Sequence, residues 1–321
     1  MSRTLVMLGL AVVALAVIHL LFPFGPLLAL RRTDPATLWL LVEQIRLPRT
    51  LLVVGYGAVL GLTGAALQAL FANPLASPDI TGSSSGAALG AVLGGYWLGL
   101  TSSLALAAAG TFGALTVLLL LFALAGRRAD TATLLLAGLA LALAAGAATS
   151  LLLALAPSPF AFYDAFEWLM GSFVDRSLPQ AAAALVPAAI CGVILLTKAK
   201  ALDVLALGED VAASLGYQPR RLAIWVVGLS SVAVGACVSV CGAIGFVGLI
   251  APFAARRLTR GHPGRALGPA ALIGATLMLL ADLAVRLGPA GRNIPVGVLT
   301  TVAGIPLFLM IILKMRERVT A

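Results

Sequence analysis

Residues 64–90 read GAALQALFANPLASPDITGSSSGAALG, an apolar stretch that is interrupted near its middle by proline, glycine and serine. Asn73 stands directly before Pro74, and the residue that precedes a proline is disfavoured in helical geometry. The pattern therefore predicts a membrane helix that breaks at Asn73 and a second helix that starts near Ser83.

A second interruption occurs at residues 235–252, GACVSVCGAIGFVGLIAP, where the apolar run that starts at residue 221 reaches a glycine-rich segment. Interrupted helices at corresponding positions of two halves are typical of a translocation path. Small residues also let ordinary membrane helices pack closely. The spacing alone leaves both interpretations open.

The composition defines the class of protein. Hydrophobic residues make up 61% of the 321 residues and charged residues only 10%, and the mean hydropathy is +1.09. A globular protein has roughly 45–50% apolar and about 25% charged residues, because its surface needs polar cover. A soluble enzyme, a disordered chain and a disulfide scaffold are excluded. The net charge of +9 lies in loops between apolar runs, so membrane topology explains it better than nucleic-acid binding.

The apolar runs predict an all-α polytopic membrane protein, since about 20 apolar residues form one membrane helix. A short run at 243–255 predicts a broken helix and raises the number of segments to ten. Ten segments leave no room for a large soluble domain, so residues 1–321 are expected to form one transmembrane domain. Five segments per half would place the halves, 1–157 and 158–321, in inverted orientations. The longer runs are 5–30, 50–70, 83–100, 103–125, 133–156, 179–197, 221–240, 267–287 and 295–313.

Lysine and arginine predict the orientation. With the N-terminus in the cytoplasm, fourteen of these cations lie inside and seven outside, which favours two cytoplasmic termini. The inside set is Arg3, Arg127, Arg128, Lys198, Lys200, Arg220, Arg221, Arg256, Arg257, Arg260, Arg265, Lys314, Arg316 and Arg318. The outside set is Arg31, Arg32, Arg46, Arg49, Arg176, Arg286 and Arg292.

No catalytic motif is convincing. A phosphate-binding loop needs Gly-Lys followed by Ser or Thr, and none of the three lysines follows a glycine. ATP hydrolysis would therefore need another chain. Residues 82–86, GSSSG, match the nucleophile elbow of a hydrolase, but no strand pattern precedes them and the only histidines are His19 and His262. We expect His19 to be hydrogen-bonded within the bundle.

Asp282 is the one acid deep in an apolar run, LMLLADLAVR at 277–286. Such a carboxylate is a candidate relay for a proton or an ion, which would suit an ion-coupled secondary transporter. Arg286 follows four residues later, so a helical ion pair is the simpler interpretation. A relay also lacks a second acid in the other spans.

The loop at 198–221 contains a predicted short helix. Glu209 and Asp210 suit its start, and Gly216 suits its end. Val211, Ala212 and Leu215 are predicted to form one apolar face, which would pack against the bundle or against a cytoplasmic partner.

Eight motifs carry a resemblance that covers essentially the whole chain. In order and spacing, the sequence resembles the permease subunits of the ABC importers for iron–siderophore complexes, haem and vitamin B12. The motifs are QIRLPRTLL (44–52), GAALQALFANPLASPDITGSSSGAALG (64–90), LLLAG (134–138), FEWLMGS (166–172), LALGEDVAASLG (205–216), GAIGFVGLIAP (242–252), LLADLAVRL (279–287) and IPVGVLTTVAGIPLF (294–308).

The resemblance implies ten helices per subunit, cytoplasmic termini and an inner-membrane location. It also implies a second permease subunit, two ATP-binding cassette ATPase subunits and a periplasmic substrate-binding protein. The expected cargo is a large metal chelate, principally a ferric siderophore, with haem or cobalamin as alternatives. No enzymatic activity, cofactor or nucleic-acid partner is expected, and membrane lipid surrounds the chain.

The resemblance also assigns roles to residues. Outer arginines would receive acidic residues of the binding protein, a second set would form the cytoplasmic gate, and a third would contact the ATPase. The sequence departs from the family pattern at Phe253 and Asn293, where the family often has His and Glu, and at Gly261-His262, where many members have Asp-His. The docking set is Arg46, Arg49 and Arg286; the gate set is Asn73, Leu75, Thr131 and Ala132; the coupling set is Leu207, Gly208, Glu209, Asp210, Ala212, Leu215 and Gly216.

Overall fold

The computed structural model describes residues 2–126, 131–156, 158–288 and 294–319, and within these ranges the chain is helical with no strand. Four residues of the predicted orientation and family pattern lie outside the described residues, namely Arg127, Arg128, Arg292 and Asn293. The α-helices are α1 (Ser2–Leu21), α2 (Phe24–Thr33), α3 (Pro35–Leu40), α4 (Leu47–Leu70), α5 (Ser83–Val92), α6 (Ser103–Ala125), α7 (Thr131–Ala154), α8 (Pro159–Leu169), α9 (Leu178–Thr197), α10 (Ala199–Leu205), α11 (Glu209–Ser214), α12 (Pro219–Cys241), α13 (Val247–Leu258), α14 (Leu267–Arg286) and α15 (Val296–Val319).

Ten of these helices correspond to the ten predicted segments. Within the described ranges, seven helical stretches are long and apolar enough to cross a membrane. The other three segments are α5, the twelve-residue α13 and α15, whose apolar part is Val296–Met310. The all-α membrane fold is thereby confirmed, including the short helix after the second interruption. The seven stretches are Arg3–Leu21, Pro35–Leu70, Ser103–Ala125, Thr133–Ala154, Leu178–Thr197, Pro219–Cys241 and Gly264–Arg286.

The predicted limits of two spans were wrong. The run 5–30 is divided, because α1 ends at Leu21 and α2 begins at Phe24. Pro23 lies between them, and proline has no N–H with which to continue the helical hydrogen bonds. The run 50–70 began too late, since one continuous helix extends from Pro35 to Leu70 through a π-helical turn at Leu41–Arg46. The π-helical turn, which contains Arg46, is therefore continuous with the central helix.

The central helix α4 is mostly buried and packs against α14, α13 and α9. A Cβ at Gly61 would collide with the carbonyl oxygen of Ala270 on α14, and one at Gly64 would collide with that of Gly248 on α13. Only glycine allows the helix backbones to approach so closely. Close packing is thus one role of the small residues in the first interrupted segment.

Both predicted interruptions are present and lie side by side. Turns occupy residues 71–82 between α4 and α5, and residues 242–246 separate α12 from α13. A Cβ at Gly248, just after the second break, would touch the ring of Pro78 in the first. Irregular backbone at membrane depth is tolerated where protein buries it or where it lines a cavity.

Candidate functional site

A charged cluster surrounds the carboxylate of Asp282, which is 1% exposed on α14. Arg49 on α4 donates from Nε to Oδ2 and from Nη2 to Oδ1, both at 2.9 Å. Arg286 donates from Nε to Oδ2 at 3.2 Å, one helical turn from Asp282. His19 on α1 donates from Nε2 to the same oxygen at 2.7 Å. The predicted i,i+4 pair is confirmed, and two further partners reach the carboxylate from other helices.

His19 and Thr50 extend this cluster. His19 is fully buried, and its Nδ1 lies 2.8 Å from Thr50 Oγ1. Thr50 Oγ1 donates in turn to the backbone carbonyl of Arg46 at 2.8 Å. The expected hydrogen bonding of His19 within the bundle is confirmed. We call His19, Arg46, Arg49, Thr50, Asp282 and Arg286 the outer cluster.

Two arginines of the outer cluster hold the end of α1. Arg46 donates from Nη1 to the Leu21 carbonyl at 2.8 Å and from Nη2 to the Pro23 carbonyl at 3.2 Å. Arg286 donates from Nη1 to the carbonyls of His19 at 2.8 Å and Phe22 at 2.9 Å. The last carbonyls of a helix have no partner within it, so these guanidinium groups satisfy them.

These contacts bear on the docking role that the resemblance implies. The exposed fraction is 8% for Arg46 and, for the side chains, 17% for Arg49 and 10% for Arg286. All three guanidinium groups already have acceptors inside the chain, and Arg49 is the most accessible of them. Docking stays a prediction, and the internal role is an addition that only the structure shows.

Two of the predicted gate residues, Asn73 and Leu75, lie in the first break. Asn73 Oδ1 accepts a hydrogen bond from the Leu75 backbone N–H at 2.9 Å, so the side chain satisfies a backbone group that the break frees. Thr131 and Ala132 stand at the start of α7. The break contacts α7 further along, because a Cβ at Gly138 would meet the carbonyl oxygen of Ile80. The gating role itself stays a prediction.

The predicted coupling helix exists as α11, Glu209–Ser214. Gly208 precedes it at φ 112°, and Gly216 follows it at φ 83°. The Tyr217 N–H donates to the Ala212 carbonyl and the Gly216 N–H to the Ala213 carbonyl, each at 3.0 Å, which is the pattern of a glycine-ended helix. The predicted limits of the helix are thus confirmed.

The bundle covers only part of the apolar face predicted for α11. Ala212 is 1% exposed, whereas Val211 is 42% and Leu215 59% exposed. At about 100° per residue, residue 215 lies about 40° from residue 211 and residue 212 about 100° from it, so Ala212 stands at one edge of the face. Ala212 therefore packs against the bundle, and Val211, Leu215 and the preceding, exposed Leu207 form the outward apolar surface.

The family profile of the FecCD transport family matches residues 5–314 of the chain. The chain belongs to the FecCD transport family. The vitamin B12 import system permease protein BtuC of Salmonella arizonae is 39% identical over 293 residues, covering 86% of this chain and 83% of the relative. BtuC of Citrobacter koseri is 38% identical over 290 residues, covering 87% and 84%.

Two solved structures share the fold of this chain. A metal-chelate type ABC transporter in an inward-facing conformation superposes with a TM-score of 0.86 and 33% identity, covering 98% of this chain and 99% of that one. PsaBC from Streptococcus pneumoniae, in complex with Fab, has a TM-score of 0.55 and 17% identity and shares the fold alone. This FecCD chain is therefore an inner-membrane permease of the ABC-importer type. The two relatives named are vitamin B12 permeases, so they give the expected ferric siderophore no specific support.

Proposed function

We propose that the chain imports a large metal chelate across the inner membrane and that a cobalamin is the first candidate cargo. The observation that carries this proposal is the 39% identity to a vitamin B12 permease over 86% of the chain. Haem and ferric siderophore, the latter expected from the sequence, are the alternatives within the same family.

The proposed machine contains a second permease subunit, two ATPase subunits and a periplasmic binding protein. The chain carries no phosphate-binding loop of its own, so a partner would hydrolyse ATP. Leu207, Val211 and Leu215 would dock in the ATPase, with Glu209 and Asp210 at the rim of the contact. Their exposure supports this assignment, since an isolated apolar surface on a short helix needs a cover.

The proposed cytoplasmic gate consists of Asn73, Leu75, Thr131 and Ala132. Support comes from the position of the first break beside α7 and beside the second break. A broken helix can move at its break without unwinding a continuous hydrogen-bond ladder. ATP-driven movement of α11 would change this constriction in the proposed cycle.

The proposed docking surface for the binding protein includes Arg46, Arg49 and Arg286. Arg49 is its most accessible member, and only its Nε and Nη2 are engaged by Asp282. Acidic residues on the partner would meet this cationic end and accelerate the encounter.

Secondary transport is the competing class of mechanism, and the outer cluster disfavours it. Two arginines and a histidine occupy the carboxylate of Asp282, so the group is an ion-pair centre rather than a free relay. A relay would need a carboxylate that can change its partner during the cycle.

The test is uptake into proteoliposomes that contain the permease, its ATPase and its binding protein. Labelled cyanocobalamin, haem and a ferric siderophore are compared with and without ATP. We expect ATP-dependent cobalamin uptake, and an ATPase without hydrolytic activity serves as the control. Uptake driven by an ion gradient in the absence of ATP would contradict the proposal, whereas ATP-driven uptake of another chelate alone would change only the cargo.

A further inference from the structure

A cavity of about 260 Å³ opens at the end of the bundle where α6 and α9 begin and α12 ends. This end is opposite to α10 and α11. The polar or aromatic lining residues are Tyr96, Ser103, Trp168, Arg176, Gln180 and Ser239. None of them belongs to the docking, gate or coupling sets.

Arg176 contributes the cavity's cation, which is partly exposed and has no hydrogen-bond acceptor among the described residues. Its Nε is buried without a hydrogen-bond partner, and no carboxylate in the described ranges forms an ion pair with it. A guanidinium N–H that is buried away from water is unfavourable unless an acceptor compensates its lost hydration. The arginines of the outer cluster all have such acceptors. The exception at Arg176 points to an anionic ligand.

Three neighbouring side chains, those of Gln180, Tyr96 and Ser103, have polar groups that are free to donate. Gln180 Oε1 accepts from the Ser177 N–H at 2.9 Å, which leaves its amide nitrogen free to donate. Tyr96 and Ser103 have hydroxyl groups without a hydrogen-bond partner among the described residues, and both line the cavity. Trp168 donates from Nε1 to the Val240 carbonyl at 3.3 Å, which fixes its ring as a wall.

The size and position of the cavity limit the kinds of anion that it can bind. Pockets for drug-sized molecules have roughly 300–1,000 Å³, so this smaller cavity suits a single head group. Trp97 is 46% exposed beside Tyr96, and tryptophan is enriched where a membrane meets water. A phosphate offers several acceptor oxygens and binds arginine at two points.

We propose that the cavity lined by Arg176, Gln180 and Tyr96 binds a phosphate group at the periplasmic surface of the inner membrane. The source is the head group of an anionic phospholipid or free inorganic phosphate. The site shares no residue with the docking, gate or coupling sets, and the proposal does not rest on the identity of the cargo.

The experiment measures lipid binding to the purified full chain in detergent by native mass spectrometry. The probes are phosphatidylglycerol, diacylglycerol without a phosphate, and inorganic phosphate as a competitor. We expect Arg176→Gln to weaken phosphatidylglycerol binding at least about tenfold, the effect of one lost charge-assisted hydrogen bond. Arg32→Gln removes the same charge from an exposed position on α2 and should leave binding unchanged.

A second variant separates binding from folding. Ser177 and Gln180 form a capping box at the start of α9, and glutamate can replace glutamine in this motif. Gln180→Glu should therefore keep thermal stability while its negative charge weakens phosphatidylglycerol binding about tenfold.

Three outcomes decide the proposal. Loss of phosphatidylglycerol in both variants, with no displacement by inorganic phosphate, supports the lipid source. Displacement by phosphate in the wild type but not in Arg176→Gln supports the free anion. Equal phosphatidylglycerol binding by all variants, or diacylglycerol binding as strong as that of phosphatidylglycerol, overturns the site.

Discussion

Arg49 donates two hydrogen bonds to the carboxylate of Asp282, with Nε 2.9 Å from Oδ2 and Nη2 2.9 Å from Oδ1. The two residues are 233 positions apart and join α4 to α14. His19 brings α1 to the same carboxylate. The buried carboxylate of Asp282 thus links α1, α4 and α14 at the end of the bundle where the binding protein is proposed to dock.

The first prediction concerns the loss of this anion. Asp282→Asn should lower the free energy of unfolding by about 3–5 kcal/mol, because it leaves buried cations without their counter-charge. Thermal unfolding in detergent would show a clear fall in Tm. Asp164→Asn is the matched control, since Asp164 is an exposed carboxylate on α8. Equal melting temperatures for the two variants would show that the cluster adds nothing to stability.

The second prediction concerns helix packing. Gly61→Ala should reduce the yield and the Tm, because the added Cβ collides with the Ala270 carbonyl oxygen. Gly9→Ala introduces the same methyl group on α1, where a Cβ meets nothing within 4 Å. That control should match the wild type or gain about 0.5–1 kcal/mol, since alanine favours a helix over glycine. A Gly61→Ala protein as stable as the Gly9→Ala protein would mean that α4 and α14 can move apart without a loss of stability.

The third prediction concerns ATPase coupling. Leu215→Glu should leave Tm unchanged and abolish ATP-driven uptake, because it charges an exposed apolar docking surface. Gly208→Pro should also abolish uptake, since proline cannot adopt the observed φ of 112°. Ala213→Glu places the same charge on another side of α11 and serves as the control. Normal uptake by Leu215→Glu would remove α11 from the coupling path.

The fourth prediction concerns docking of the binding protein. Arg49→Gln should weaken the affinity of the permease for the binding protein at low ionic strength. The difference from wild type should shrink as salt screens the charge. Surface plasmon resonance with the folded permease measures this effect. Arg31→Gln tests an exposed outer arginine on α2. A loss of affinity for Arg31→Gln and none for Arg49→Gln would move the docking surface to α2.

The fifth prediction concerns the gate. Leu75→Cys, in a background without Cys191, Cys237 and Cys241, should cross-link to its counterpart across the permease pair, and nucleotide should change the yield. In a heterodimer the partner would need its own cysteine. Leu104→Cys, exposed at the start of α6, is the control. Absence of the Leu75 cross-link in every nucleotide state, despite proven dimers, would identify residues 71–82 as a turn remote from the axis.

Several features were readable in the chain because they depend on neighbours in sequence. Apolar runs predicted the ten helical segments, since the length of a run and the loss of water determine a membrane helix. The break at Asn73–Pro74 followed from the geometry that proline imposes on the residue before it. Gly216 marked the end of α11, because a helix commonly ends on a residue with positive φ. The Asp282–Arg286 pair followed from helical spacing alone.

Other features depended on packing between distant segments. No local pattern brings His19 or Arg49 to Asp282, because the shared carboxylate is reached only when α1, α4 and α14 assemble. Only the folded bundle distinguishes the buried from the exposed residues of α11, because it covers Ala212 and leaves Leu215 exposed. Arg176 is one of the seven cations that the sequence predicts on the outer side. Only the folded chain shows that its Nε is buried without an acceptor, since burial is a property of the surrounding helices and not of the residue.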